Sequence, residues 1–359
     1  MAPIYLGSTA VSKVYKGSTE VSQAYLGSNA LLSTLDPTEH FGMIAYTGDR
    51  PTNAGKTGMG FQPDLIMIKG RSFDDHWSVL DSTRGANVLS ANNTDQQASF
   101  SGFTFDSDGF TVGSSGQANS NGETLIAWGW KAAGGTTTSN GQGTITSQVQ
   151  ANTDAGFSIV SYSGNNASSA TVGHGLDSAP QLVIVKGLNV TAGWPTLFND
   201  GSYTNKGIRL NESSVDTGNS TVFFNNTNPS STVFSVGSSD ETNDGYNYIA
   251  YCWHSVDGYQ KVGSYNGTGN SGLEVSLGFQ ARFIAVKKVA PSGDRWLIAD
   301  TTRHAATNND AFLDFTDTLS ERDFNCTNGI TFGSNSFTIN TTDGSFNNSS
   351  GTYIYLAIA

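Results

Sequence analysis

Apolar residues fall in short runs separated by Gly, Ser, Asn and Thr, and the runs are of three kinds. In the first kind, residues 65–68, 182–185 and 283–286 are each four apolar residues in a row, followed at once by Lys69, Lys186 or Lys287. Each is entered through a turn-forming sequence, GFQPD, LDSAPQ or GFQAR. Such a run predicts a strand, and its lack of alternation predicts that both faces are covered, by loops, by a neighbouring unit or by another chain. The second kind is aromatic and closes a unit: residues 125–128, 248–253 and 353–359. The third opens one, at 44–48, 160–164 and 261–265.

These runs recur in a fixed order. Tyr46, Tyr162 and Tyr265 stand near the starts, then the three lysines, then Trp77, Trp194 and Trp296, then Ile126, Ile249 and Ile354 in the closing strands. Near-constant spacing over four landmarks is the mark of an internal repeat. It predicts three tandem β-sandwich units over residues 41–135, 136–259 and 260–359. The early part of 134–156 reads as a linker. After it, 144–149 alternates as a strand and pairs as a hairpin with 157–162. The second and third units have no such linker and are expected to be rigidly joined through Asp257 and Gly258, inside the seam 245–267.

Before the array, residues 4–31 repeat every ten, aligning Tyr5, Tyr15 and Tyr25, then Gly7, Gly17 and Gly27, then Ser8, Ser18 and Ser28. The pattern predicts a short β-meander over residues 1–37 with tight Gly-Ser turns. A piece of fewer than about 40 residues seldom stabilises itself. It is therefore expected to dock, as an attachment segment for a larger assembly or a symmetry mate.

Composition agrees with this pattern. Among 359 residues there are 42 Gly and only 13% charged side chains, which suits strands and turns and gives an all-β class. No apolar run approaches the length of a membrane-spanning helix, and the first residues lack the basic start and apolar core of an export signal. The net charge of −12 is scattered, with no basic stripe for a phosphate backbone, so nucleic acid is not an expected partner. Cys252 and Cys326 occupy non-equivalent places and read as small core residues rather than a disulfide.

Candidate chemistry is sparse. Trp77, Asp81 and Arg84, and again Trp296, Asp300 and Arg303, share a WxxxDxxR spacing. An indole beside a carboxylate is a sugar-binding pair; the simpler reading is a core Trp with a local Asp–Arg ion pair, and the aliphatic neighbours favour it. In the second unit Asn199 and Asp200 follow Trp194 instead, which weakens any shared site there. Trp130, Tyr203, Tyr246 and Tyr259 lie among Gly and Asn and are candidate exposed aromatics for a glycan, a receptor or a subunit contact. Asp106 to Gly109 reads as a turn rather than a calcium loop, and Gly55, Lys56, Thr57 lack the first glycine of a phosphate loop. His40, His76, His174, His254 and His304 have no metal-ligand spacing, and no GxSxG elbow occurs. No catalytic residue, metal or cofactor is expected.

The blocks GFQPDLIMIKGRS, TRGANVLS, FDSDGFTVG, GFSIVSYSGN, ATVGHGL, YIAYCWHSVDGYQKVGSYNG and GTYIYLAIA resemble tail-fibre and related virion structural proteins of tailed bacteriophages, marine and cyanobacterial ones above all. The leader IYLGSTAVSKVYKGSTEV resembles phage tail proteins as well. The resemblance implies lectin-like, concanavalin A-type or jelly-roll sandwiches displayed on a virion. It carries the expectation of host attachment through a cell-surface glycan or protein, with residues 1–37 joining other virion proteins. The competing expectations are a capsid decoration or tail-shaft component without receptor binding, and a polysaccharide depolymerase. Fibres are commonly trimers, and a homotrimer would cover the apolar strands; mutual covering by the units of one chain would serve equally.

Overall fold

Both faces of each continuous apolar run are covered, which is why the run carries no polar alternation. The computed structural model describes residues 4–6, 9–11, 15–16, 19–20, 23–26, 29–33, 35–52, 54–215, 220–304, 311–322 and 329–359. The inner strands Leu65–Gly70 and Leu182–Gly187 are buried at every position, and Phe283–Ala290 at all but two. Beside each lies an outer strand: Ser78–Asp81, Pro195–Asn199 or Trp296–Asp300.

The closing strands Thr124–Trp130, Asn247–Trp253 and Thr352–Ile358 do not sit at an edge. Each inserts between its inner strand and the opening strand of the same copy, Phe41–Thr47, Phe157–Ser163 or Gln260–Asn266. All three copies thus share the antiparallel order opening, closing, inner, outer. A smaller sheet accompanies each, built on Gly109–Thr111, on Ala170–Gly173 with Val233–Val236, and on Ser336–Ile339. The first copy's core lies between its sheets, where Ile66, Ile68, Leu125 and Ala127 meet Phe110 and Val112. In the second copy Val183, Val185, Tyr248 and Ala250 meet Val172, Phe234 and Val236. The described α-helices are three, of four or five residues, so the fold is all-β as expected.

The recurrent Tyr-x-Gly of the opening strands has a geometric cause. The hydroxyls of Tyr46, Tyr162 and Tyr265 donate to the carbonyls of Ala118, Thr242 and Phe346 at 2.7, 2.7 and 2.9 Å. Two residues on, a Cβ at Gly48, Gly164 or Gly267 would lie 2.0, 1.8 or 2.2 Å from a backbone oxygen, so no side chain fits. The next backbone N–H in each case donates to a fully buried amide, Asn119, Asn243 or Asn347. These asparagines are a fifth repeat landmark that the apolar pattern does not reveal, because their spacing carries no hydrophobic signal.

Residues Pro37–Ala359 make one compact body in which the three copies are lobes. The segment that reads as a linker is pinned: the N–H groups of Ala132, Gly134 and Gly135 all donate to buried Asp64 at 2.7–2.9 Å. Thr138–Asn140 then pairs with Ser147–Asn152, itself paired with the second opening strand, so the expected hairpin gains an extra strand in place of a linker. Met1–Asp36 is a separate unit. Its described ladders run within each repeat: Ile4–Leu6 with Thr9–Val11, Tyr15–Lys16 with Thr19–Glu20, and Gln23–Leu26 with Asn29–Ser33. The Gly-Ser turns and Cys326 lie outside the described residues.

Candidate functional site

Each inner strand carries, directly after its apolar run, a lysine whose chain is wholly buried. The ammonium groups are satisfied by carbonyls contributed across lobe boundaries. Lys69 Nζ donates to Thr318 O at 2.9 Å, Lys186 to Thr94 O at 3.0 Å, and Lys287 to Glu212 O at 2.7 Å. The third lobe therefore caps the first, the first caps the second, and the second caps the third. Two of the three indoles follow the same circuit: Trp77 Nε1 donates to Asp314 O at 2.9 Å and Trp194 Nε1 to Ser90 O at 3.1 Å. Burial pulls the amines down, to about 8 for Lys69 and Lys186 and about 7 for Lys287.

The WxxxDxxR elements form a second set of contacts. In the first lobe Arg84 Nε meets Asp81 Oδ2 at 2.5 Å, and the Arg84 N–H donates to Oδ1 at 3.0 Å. The closing strand of the second lobe reaches the same carboxylate, Tyr251 donating to Oδ2 at 2.7 Å. In the third lobe Arg303 and Asp300 repeat the pairing at 2.5 Å, and Trp128 from the first lobe donates to Asp300 Oδ2 at 3.2 Å while lying under the Arg303 guanidinium. Burial, with the Asp81 charge beside it, holds the Tyr251 phenol protonated well above its usual range. Trp77, Asp81, Arg84, Trp296, Asp300 and Arg303 are all buried, so they offer no face to a sugar. They lock lobe to lobe.

The third contact of this set, from the second lobe onto the third, is different. Strand pairing sets Leu65 opposite Asp81 and Phe283 opposite Asp300, and sets Leu182 opposite Phe198. Phe198, not Asn199 or Asp200, occupies the aspartate place, and Gly201, with φ of 88°, occupies the arginine place. The ion pair is absent here. The receiving position, Tyr251 or Trp128 elsewhere, is Leu356. At this boundary a cleft of about 480 Å³ opens, between Gln181, Asp200, Ser202 and Ser255 of the second lobe and Lys261–Tyr265, Leu273–Ser276 and Tyr355 of the third.

Of the expected exposed aromatics, Trp130 and Tyr259 are buried, at 2% and 1% exposure. Trp130 fills the space where the lobes meet, 5.0 Å from Phe41, 5.9 Å from Phe283 and 6.3 Å from Trp253 between ring centres. Only an apolar void of about 30 Å³ is left beside it. Tyr259 packs edge-on to His40 at 6.1 Å. Tyr203 and Tyr246 are half-buried: the first lies against Phe198 and the second against the second-lobe core. Asp106 and Gly109 close a hairpin, and Gly55–Thr57 is an edge strand of the small sheet. Among the described residues no group of three or more His, Cys, Asp or Glu is placed to hold a metal ion. Sequence reasoning missed the cleft, because its walls come from segments of two lobes that only the fold brings together.

Residues 36–359 match the family described as Domain of unknown function (DUF7483), and the chain belongs to that family. No curated protein and no solved structure matches it.

Proposed function

We propose that the protein is a virion-surface structural protein, a tail fibre or appendage of a tailed bacteriophage, that attaches to the host by binding a cell-surface glycan or protein. Residues 1–37 join it to other virion proteins. The observation that carries this reading is the unequal third lobe boundary. Two boundaries carry a buried ion pair and a neighbour's aromatic ring; the third has buried Phe198 and Leu356 at those places and, beside them, a solvent-facing cleft lined by both lobes. A rigid β-body with one such recess has the form of a binding module. The reading is framed for a single chain, because the outer faces that would suit a homotrimer are already covered by the chain's own lobes.

Purified protein added to host cells ahead of virions should lower adsorption in proportion to its concentration. No competition, together with fragile or unassembled particles on deletion of the gene, would instead favour a decoration or tail-shaft component. Release of reducing ends from host polysaccharide would favour a depolymerase.

A further inference from the structure

We infer that the open boundary between the second and third lobes is a saccharide site selective for neutral or amino sugars over acidic ones, with Tyr355 and Asp200 as its principal polar contacts. The inference deepens the attachment reading and rests on it for biological meaning, but the site itself is argued from geometry.

The cleft volume lies within the several hundred Å³ usual for small-ligand sites. Its existence depends on a size reversal in the third lobe. Opening and closing strands pair Ile44 with Ala127 and Val160 with Ala250 in the first two lobes, a large residue against a small one. In the third the order is inverted, Gly263 against Tyr355. A Cβ on Gly263 would lie 2.5 Å from the Tyr355 hydroxyl, so the glycine is what lets the phenol extend to the cleft.

That hydroxyl is itself unusual. The other tyrosines of the closing strands all donate: Tyr251 to Asp81, Tyr248 to Asp240 O and Tyr353 to Gly344 O. Tyr355 is 3% exposed and lines the cleft, yet its hydroxyl has no hydrogen-bond partner among the described residues. The ring is packed away while the hydroxyl opens to the cleft, where a ligand hydroxyl can take the place of water as its partner. Burial and the nearby Asp200 charge keep the phenol protonated, and so a donor.

Acceptors for sugar hydroxyls are supplied as well. Asp200 Oδ1 is occupied by the N–H groups of Ser202 and Tyr203 at 2.9 and 2.6 Å, and Glu274 Oε1 by Ser336 at 2.7 Å; the second oxygen of each carboxylate accepts no hydrogen bond among the described residues. Lys261 is tied to Ser276 O at 2.9 Å. Two carboxylates against one ammonium disfavour uronic or sialic acids and suit neutral or amino sugars.

The test is ligand-observed saturation-transfer NMR on the full chain with methyl glycosides of glucose, galactose, N-acetylglucosamine, glucosamine and glucuronic acid. Transfer to at least one neutral or amino glycoside, and weaker transfer to the glucuronide, is expected. Tyr355→Phe, which keeps the ring, should weaken binding by up to about tenfold without lowering the unfolding midpoint. Ser276→Trp, on the exposed lip, should abolish transfer. No transfer to any of the glycosides, or undiminished transfer to the Ser276→Trp variant, overturns the inference. Competition for adsorption that persists in Ser276→Trp would overturn the site while leaving the attachment reading standing. Sugar binding without any effect on adsorption would do the reverse.

Discussion

The ammonium of Lys287 donates to the carbonyl of Glu212 at 2.7 Å, across the boundary between the second and third lobes, and to Asp294 O at 2.6 Å within its own. No carboxylate oxygen accepts from it in these bonds, so a fully buried charge is held by carbonyl dipoles. Its two counterparts, Lys69 and Lys186, do the same at the other boundaries, and the three lobes close on one another.

The first prediction concerns pH. Burial depresses Lys287 to about 7 from 10.5, against the opposing charges of Asp314, Asp294 and Glu212. Between those values the unfolded chain holds the proton and the folded chain has shed it. The unfolded state therefore binds more protons, and this lysine makes stability rise with pH from about 7 towards 10. Lys69 and Lys186 act with the same sign from about 8. Lys287→Met should flatten the rise in urea-unfolding free energy by up to about 1.4 kcal/mol per pH unit. An unchanged slope would refute the assignment.

The second concerns the lobe locks. Arg84→Ala leaves Asp81 buried with only Tyr251 and the Arg84-position N–H, and should cost about 3–5 kcal/mol. Tyr251→Phe removes one bond to that carboxylate and should cost about 1.5–3 kcal/mol. Equilibrium denaturation checks both, and a cost below about 1 kcal/mol for Arg84→Ala would show that the pair is not sealed from water.

A third follows from the shared interior. A fragment of residues 41–135 would expose Met67, Trp128 and Trp130, whose cover comes from the other lobes. It should not fold alone, and residues 37–359 should unfold in one transition by both fluorescence and circular dichroism. A fragment with dispersed amide NMR signals, or two separated transitions, would contradict this.

The fourth tests the asparagine landmarks. Asn243→Ala strands the Asn165 N–H and the Ala167 carbonyl, which its amide satisfies at 3.0 and 2.8 Å. It should cost about 1–3 kcal/mol. Gly164→Ala places a methyl on a backbone oxygen at 1.8 Å and should be at least as damaging. The matched changes at Asn347 and Gly267 should act alike, as read from thermal unfolding.

Much of the architecture was legible because it is written in burial. Residues 65–68, 182–185 and 283–286 are apolar on both sides of the pleat, and only a strand covered on both faces has that use for such a run. The copies, their order and the pairing of Asp81 with Arg84 followed from spacing. What spacing missed were features set by partners distant in the chain. Trp130 and Tyr259 sit among Gly and Asn in sequence, yet the packing of three lobes surrounds them.

By itself, then, the sequence determined an all-β chain of three copies, since hydrophobic period and turn residues are local properties. Tertiary structure alone decided which lobe caps which lysine and that the apparent linker is pinned on Asp64. The reason is geometric: a strand's partner, and the one-residue register that fixes which side chains face a boundary, are set by contacts between segments a hundred or so residues apart. The reversal of Gly263 and Tyr355 becomes a cleft only when those contacts are made.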